Sequence, residues 1–110
     1  MALSALPFAT FSYAEKAQIQ QQQTKAAGVW IDVRSAEEFA QGHLENAVNI
    51  PHTEISTQIT KLNLSKDEPI HVYCRSGRRS EIALDELKKL GYTNVTNQGG
   101  YNDLIKKGLK

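Results

Sequence analysis

From Val29 onward, short apolar runs alternate with stretches of helical patterning, and the connections between them are brief. "VWIDV" reads as a strand. Ser35 followed by Glu38 is a capping box, predicting a helix to about Gln41 that Gly42 closes. "AVNI", stopped by Pro51, predicts a second strand, and Thr53 is placed to cap a helix carrying Ile55, Ile59 and Leu62. "IHVY", Ile70 to Tyr73, predicts a third strand. It leads to a helix from about Ser80 with Ile82, Ala83, Leu87 and Leu90 on its inner face and Gly91 as its stop. "NVT" supplies a fourth strand, after which Gly99 and Gly100 turn the chain into a last helix bearing Leu104 and Ile105. Strands and helices in turn imply βαβ units. The predicted fold is α/β, a small and mostly parallel sheet with helices on both faces, whose ligands bind beyond the carboxyl ends of the strands.

The 110 residues suffice for one domain with a single core. Residues 1–14, "MALSALPFATFSYA", are apolar, uncharged and too short to span a bilayer. Small residues Ser12 and Ala14 suit a signal-peptide cut after Ala14, although the basic start of such a peptide is missing, so a signal-peptide remnant is expected here. Residues 15–28 are polar and Gln-rich, read as a linker, which leaves 29–110 as the folded domain. Thirteen basic against twelve acidic residues give a formal charge of +1, which argues against binding nucleic acid or a membrane surface through bulk charge. Any positive field must be local.

One place concentrates it. Cys74, the only cysteine, directly follows the third strand, and the next six positions are Arg75, Ser76, Gly77, Arg78, Arg79 and Ser80. A lone cysteine excludes an internal disulfide and a multi-cysteine metal site. Such a residue is most often an inert apolar one, but inert cysteines have apolar neighbours and these are cationic. A strand, a tight loop and a helix aim backbone N–H groups and the positive helix end at the sulfur, an arrangement that favours an anion. A free thiol titrates near about 8.5; helix terminus and guanidinium groups are both expected to lower that value. Cysteine phosphatases place Arg six positions after the nucleophile, so that the loop wraps a tetrahedral phosphate. Here that position is Ser80, and the last arginine comes one residue earlier. The smaller cradle suits one extra sulfur atom on the thiolate.

Asp32 and Arg34 close the first strand near the mouth of this loop. Asp32 is expected to brace the turn, with a bond to the active loop as the alternative, and Arg34 to pair with a carboxylate on the following helix. His43 reads as structural, Trp30 and Tyr92 as core, and no clustered ligands support a metal.

"CRSGRRS" resembles the active loop of rhodanese-type sulfurtransferases. "WIDVRSAEEFAQGHLENAVNIP" is similar to that family's first motif, with Asn46 where Gly is usual, and "LKKLGYTNVTNQGGYNDL" is similar to its closing segment, with Leu104 in place of tryptophan. The likeness runs from Trp30 to Leu109 and is nearest to the small periplasmic single-domain members. It implies a thiosulfate sulfurtransferase in which Cys74 attacks thiosulfate, becomes a persulfide and passes its sulfur to cyanide, a small thiol or a thiol protein. Arg75, Ser76, Gly77, Arg78 and Arg79 would bind substrate and persulfide, with Asp32, Arg34 and Ser80 in support. A sheet reduced to about four strands, no cofactor, a monomer and a periplasmic location are the accompanying expectations, with a cytoplasmic one as alternative. A phosphatase or arsenate reductase, and a persulfide carrier or anion-binding regulatory module without turnover, are the competing readings.

Overall fold

The computed structural model describes residues 25–110. The leader over residues 1–14 and most of the linker fall outside them. Four strands, β1 (Val29–Asp32), β2 (Val48–Asn49), β3 (Ile70–Cys74) and β4 (Val95–Gly100), form one sheet in the order β2-β1-β3-β4, every pair parallel. The helices are α1 (Ala36–Gln41), α2 (Ile55–Gln58) between two 3-10 turns, α3 (Arg78–Lys89) and α4 (Tyr101–Lys106).

The pleat sorts side chains between two cores. Ile31, Ile70, Val72 and Cys74 point to one face and pack with Ile55, Ile59, Ala83 and Leu87 from α2, the second 3-10 turn and α3. Trp30 and Tyr73 point to the other, against Leu44, Leu104 and Leu109. Burial on both faces explains why all five residues of β3 are buried. Each large aliphatic side chain so buried contributes about 1.5–3 kcal/mol. Asn46 takes the left-handed conformation (φ 65°) that its place in the first motif demands.

The capping box forms as expected, with Ser35 and Glu38 each bonded to the other's backbone N–H. Thr53, by contrast, caps nothing. The Glu54 N–H already bonds the Pro51 carbonyl at 2.8 Å, so the chain starts to coil at the proline and Thr53 lies inside the 3-10 turn His52–Glu54. Helix α3 begins at Arg78, two residues before the expected start, because Gly77 supplies its cap. Its inner face is Ser80, Ala83, Leu84 and Leu87, and Ile82, on the other side, is 47% exposed. Strand β4 continues through Gly99 and Gly100, where a turn was expected, and of the last helix's two apolar residues only Leu104 is buried.

From β1 the chain moves outward to β2, and from β3 it moves the opposite way to β4. The reversal falls between β1 and β3, which leaves a crevice beyond their carboxyl ends. Arg34 follows one strand and Cys74 ends the other.

Candidate active site

Cys74 leaves β3 on the face covered by α3. The chain then turns over Arg75 to Gly77, and Gly77, at φ 93°, takes a conformation costly to any residue with a Cβ. That turn aims the Gly77 N–H at the Cys74 Sγ, 2.8 Å away, while the Ser80 Oγ stands 3.4 Å from it. Burial pushes the thiol up. The Ser80 hydroxyl and the amides of Ser80, Ser76 and Gly77 outweigh burial, and the net result lies below the ordinary thiol value. Hydrogen bonds from the loop and helix start do most of the lowering; no guanidinium donates to the sulfur, and the expected share for arginine comes from Arg79 through its charge.

The three arginines after Cys74 are not equivalent. Arg79 donates twice to Glu38, Nη1 to Oε1 at 2.9 Å and Nη2 to Oε2 at 3.1 Å. Glu38 also accepts from the backbone and hydroxyl of Ser35, and its carboxyl is held down to about 2, chiefly by Arg79. Arg75 and Arg78 are exposed, and among the described residues neither has a carboxylate partner.

Arg34 departs from expectation. It pairs not with the following helix but with Asp32, two residues back, through Nη2 to Oδ2 at 2.7 Å and Nε to Oδ1 at 2.9 Å. The backbone N–H of Arg34 also donates to Asp32 Oδ1, so the turn after β1 folds the side chain back on the carboxylate before it can reach α1. Nη2 donates as well to the Gly42 carbonyl, and the guanidinium lies 4.4 Å from the centre of the Tyr101 ring. Asp32 is fully buried and makes no bond to the active loop; it braces the turn. Beside this pair opens a cavity of about 210 Å³ lined by Arg34, Glu38, Gln41, Arg75, Tyr101 and Asn102. His43 stacks on Phe39 with ring centres 3.6 Å apart, as befits a structural residue.

Two residues that sequence reasoning passed over hold the loop in place. Asn97 of β4 accepts from Gly99 N–H (2.9 Å) and Ser80 O–H (2.7 Å) and donates to the Gly77 carbonyl (3.1 Å) and Glu81 (2.9 Å). Gly100 lets β4 approach the loop so closely that a Cβ there would stand 2.5 Å from the Arg75 carbonyl oxygen. The Gly99–Gly100 pair was the visible signal for this approach, although two glycines speak equally for a turn. Asn97 gave no signal, since nothing near it in sequence marks its partners.

A parallel sheet with a single buried, amide-bonded cysteine at its switch point defines an α/β protein with one thiol set beside its ligand crevice. The family model for the rhodanese-like domain matches residues 14–107, and the chain belongs to that family. It is 40% identical over 85 residues to the thiosulfate sulfurtransferase PspE of Escherichia coli, covering 77% of this chain and 82% of that protein. It is 34% identical over 91 residues to the chloroplastic thiosulfate sulfurtransferase 16 of Arabidopsis thaliana, covering 73% and 76% respectively. Among solved structures it resembles a rhodanese with anions from E. coli, with TM-score 0.67 and 42% identity over 70% of this chain and 91% of the other. The human single-domain sulfurtransferase TSTD1 superposes with TM-score 0.66 at 25% identity, covering 93% of each chain.

Proposed function

We propose that this protein is a thiosulfate sulfurtransferase acting through a persulfide on Cys74. The observation that carries the reading is the 2.8 Å bond from the Gly77 N–H to the Cys74 Sγ in a loop too short to wrap a phosphate. The thiolate of Cys74 attacks the outer sulfur of thiosulfate; the S–S bond of thiosulfate breaks and its electron pair leaves with sulfite. Cys74 now carries one extra sulfur, whose negative charge faces the loop amides of Arg75 to Arg79. Cyanide or a thiolate acceptor then attacks that outer sulfur, the Cys–S bond to it breaks, and Cys74 departs as the thiolate it began as. Arg75 and Arg78, which have no carboxylate partner among the described residues, draw in the dianion. Arg79 holds the loop to Glu38 and adds its charge near the sulfur, and Asp32, Arg34 and Ser80 support the turn and the sulfur.

Residues 29–110 contain every group this scheme uses. The uncharged leader with Ser12 and Ala14 supports export to the periplasm, and among the described residues no helix is long and apolar enough to cross a membrane. Steady-state release of thiocyanate from thiosulfate and cyanide tests the activity. Turnover that Cys74→Ser abolishes is the expected result; hydrolysis of an aryl phosphate, or sulfur uptake without turnover, would replace this reading by a phosphatase or a carrier.

A further inference from the structure

The Ser80 hydroxyl owns one hydrogen and has three neighbours able to accept it: the Asn97 Oδ1 at 2.7 Å, the Gly77 carbonyl at 3.0 Å and the Cys74 Sγ at 3.4 Å. The Asn97 carboxamide can sit only one way round. Reversed, its NH₂ would face the Gly99 N–H and its oxygen would face both the Gly77 carbonyl and the Glu81 carboxylate. Its Oδ1 is therefore an acceptor, the shortest contact of the three, and takes the Ser80 hydrogen. With the hydrogen there, Ser80 presents a lone pair to the sulfur and can only accept the S–H of a neutral thiol. To stabilise a thiolate, the hydroxyl must rotate and give up Asn97.

For the sulfur transfer proposed above, we infer that Asn97 is a positioning residue: its Oδ1 holds the Ser80 hydrogen while the Cys74 sulfur is uncharged and yields it to the sulfur as negative charge develops there. The sulfur is uncharged as the thiol and as the inner atom of the persulfide. It gains charge when the acceptor removes the outer sulfur, and the Ser80 donor arrives at that moment. No bond other than the hydrogen bond changes, and no proton leaves the hydroxyl. The charged groups around this triad are Glu81 on α3, bonded to Asn97; Arg79, paired with Glu38 of α1; Arg75 and Arg78 at the loop; and the Asp32–Arg34 pair after β1. None of them bonds the Ser80 hydroxyl.

A merely structural Asn97 and a competing acceptor predict opposite signs. If Asn97 only ties the loop to β4, its loss misaligns the Gly77 N–H and the thiol becomes harder to ionise. If it competes for the Ser80 hydrogen, its loss makes the thiol easier to ionise. The experiment is the pH dependence of Cys74 alkylation by iodoacetamide in the full chain, which reads the thiol without sulfur-transfer turnover and so stands or falls apart from the activity. Asn97→Ala should move the midpoint down by about half a pH unit, the order expected when one hydrogen bond changes partner. In a Ser80→Ala background the same substitution should give no downward shift. An upward shift, no shift, or the same downward shift without Ser80 overturns the inference. Should Asn97→Ala fail to fold, the near-isosteric Asn97→Leu serves: it also removes the acceptor and should lower the midpoint with Ser80 present but not in the Ser80→Ala background. An equal change in both backgrounds contradicts the role.

Discussion

Arg79 on α3 and Glu38 on α1 are joined by two hydrogen bonds, 2.9 and 3.1 Å long, although 41 residues separate them in sequence. The planar guanidinium fork matches the carboxylate, and the pair ties the start of one helix to the start of another. Glu38 is also the capping residue of α1, so a local helix signal and a long-range tie share one side chain.

That pair divides the labour among the arginines. Arg75→Ala and Arg78→Ala should each raise KM for thiosulfate, on the order of tenfold or about 1.4 kcal/mol, with little change in Tm. Arg79→Ala should instead lower Tm and move KM less. Steady-state kinetics beside thermal unfolding decides the matter; a KM effect largest at Arg79 with Tm unchanged would reverse the assignment.

Acid should expose the same tie. The Glu38 carboxyl titrates at about 2, against an ordinary 4.5, so in that window the unfolded chain binds the extra proton and stability rises with pH. The contribution is complete above the ordinary value and is lost as pH falls toward 2. Glu38→Gln keeps the capping box but loses the charge of the partly exposed ion pair, so it should cost up to about 1 kcal/mol near neutrality and should flatten this part of the acid limb. Denaturant unfolding between pH 2 and 6 measures both; an unchanged acid limb in the variant would place the linkage on another carboxylate.

Gly100 is expected to resist even a methyl group. Its Cβ would press on the Arg75 carbonyl, which belongs to the loop that arms Cys74, so Gly100→Ala should displace the loop and lower kcat/KM at least about tenfold. Because the clash is with backbone, side-chain movement cannot relieve it. Wild-type kinetics in this variant would show that β4 yields rather than the loop.

Ser80 touches the sulfur directly. Its hydroxyl and amide are among the groups that hold the Cys74 thiol below the ordinary value, so Ser80→Ala should raise the alkylation midpoint toward that of a free thiol and slow alkylation at neutral pH. A midpoint that stays put would leave the amides alone responsible.

What could be read from sequence was what depends on neighbours in the chain. The Ser35–Glu38 box, the strand before Cys74 and the alternation of elements are all local patterns, and each appears in the structure. Ile82 was misplaced because, at about 100° per residue, the face shared by Ser80, Ala83, Leu84 and Leu87 leaves it on the outer side of α3. Arg34 was assigned a partner on α1 by helical spacing, but the turn after β1 brings Asp32 nearer. Glu38 with Arg79, Asn97 with Ser80 and Gly100 with Arg75 are contacts between separate elements, set by how the sheet lays β1 and β4 on either side of β3. No spacing within the chain announces them.

The most direct measurement is the intact mass of the protein before and after thiosulfate. A thiolate nucleophile at Cys74 predicts a gain of one sulfur, about 32 Da, that disappears on adding cyanide and never forms in Cys74→Ser. An active enzyme that gains no mass, or a serine variant that still gains it, would contradict the account.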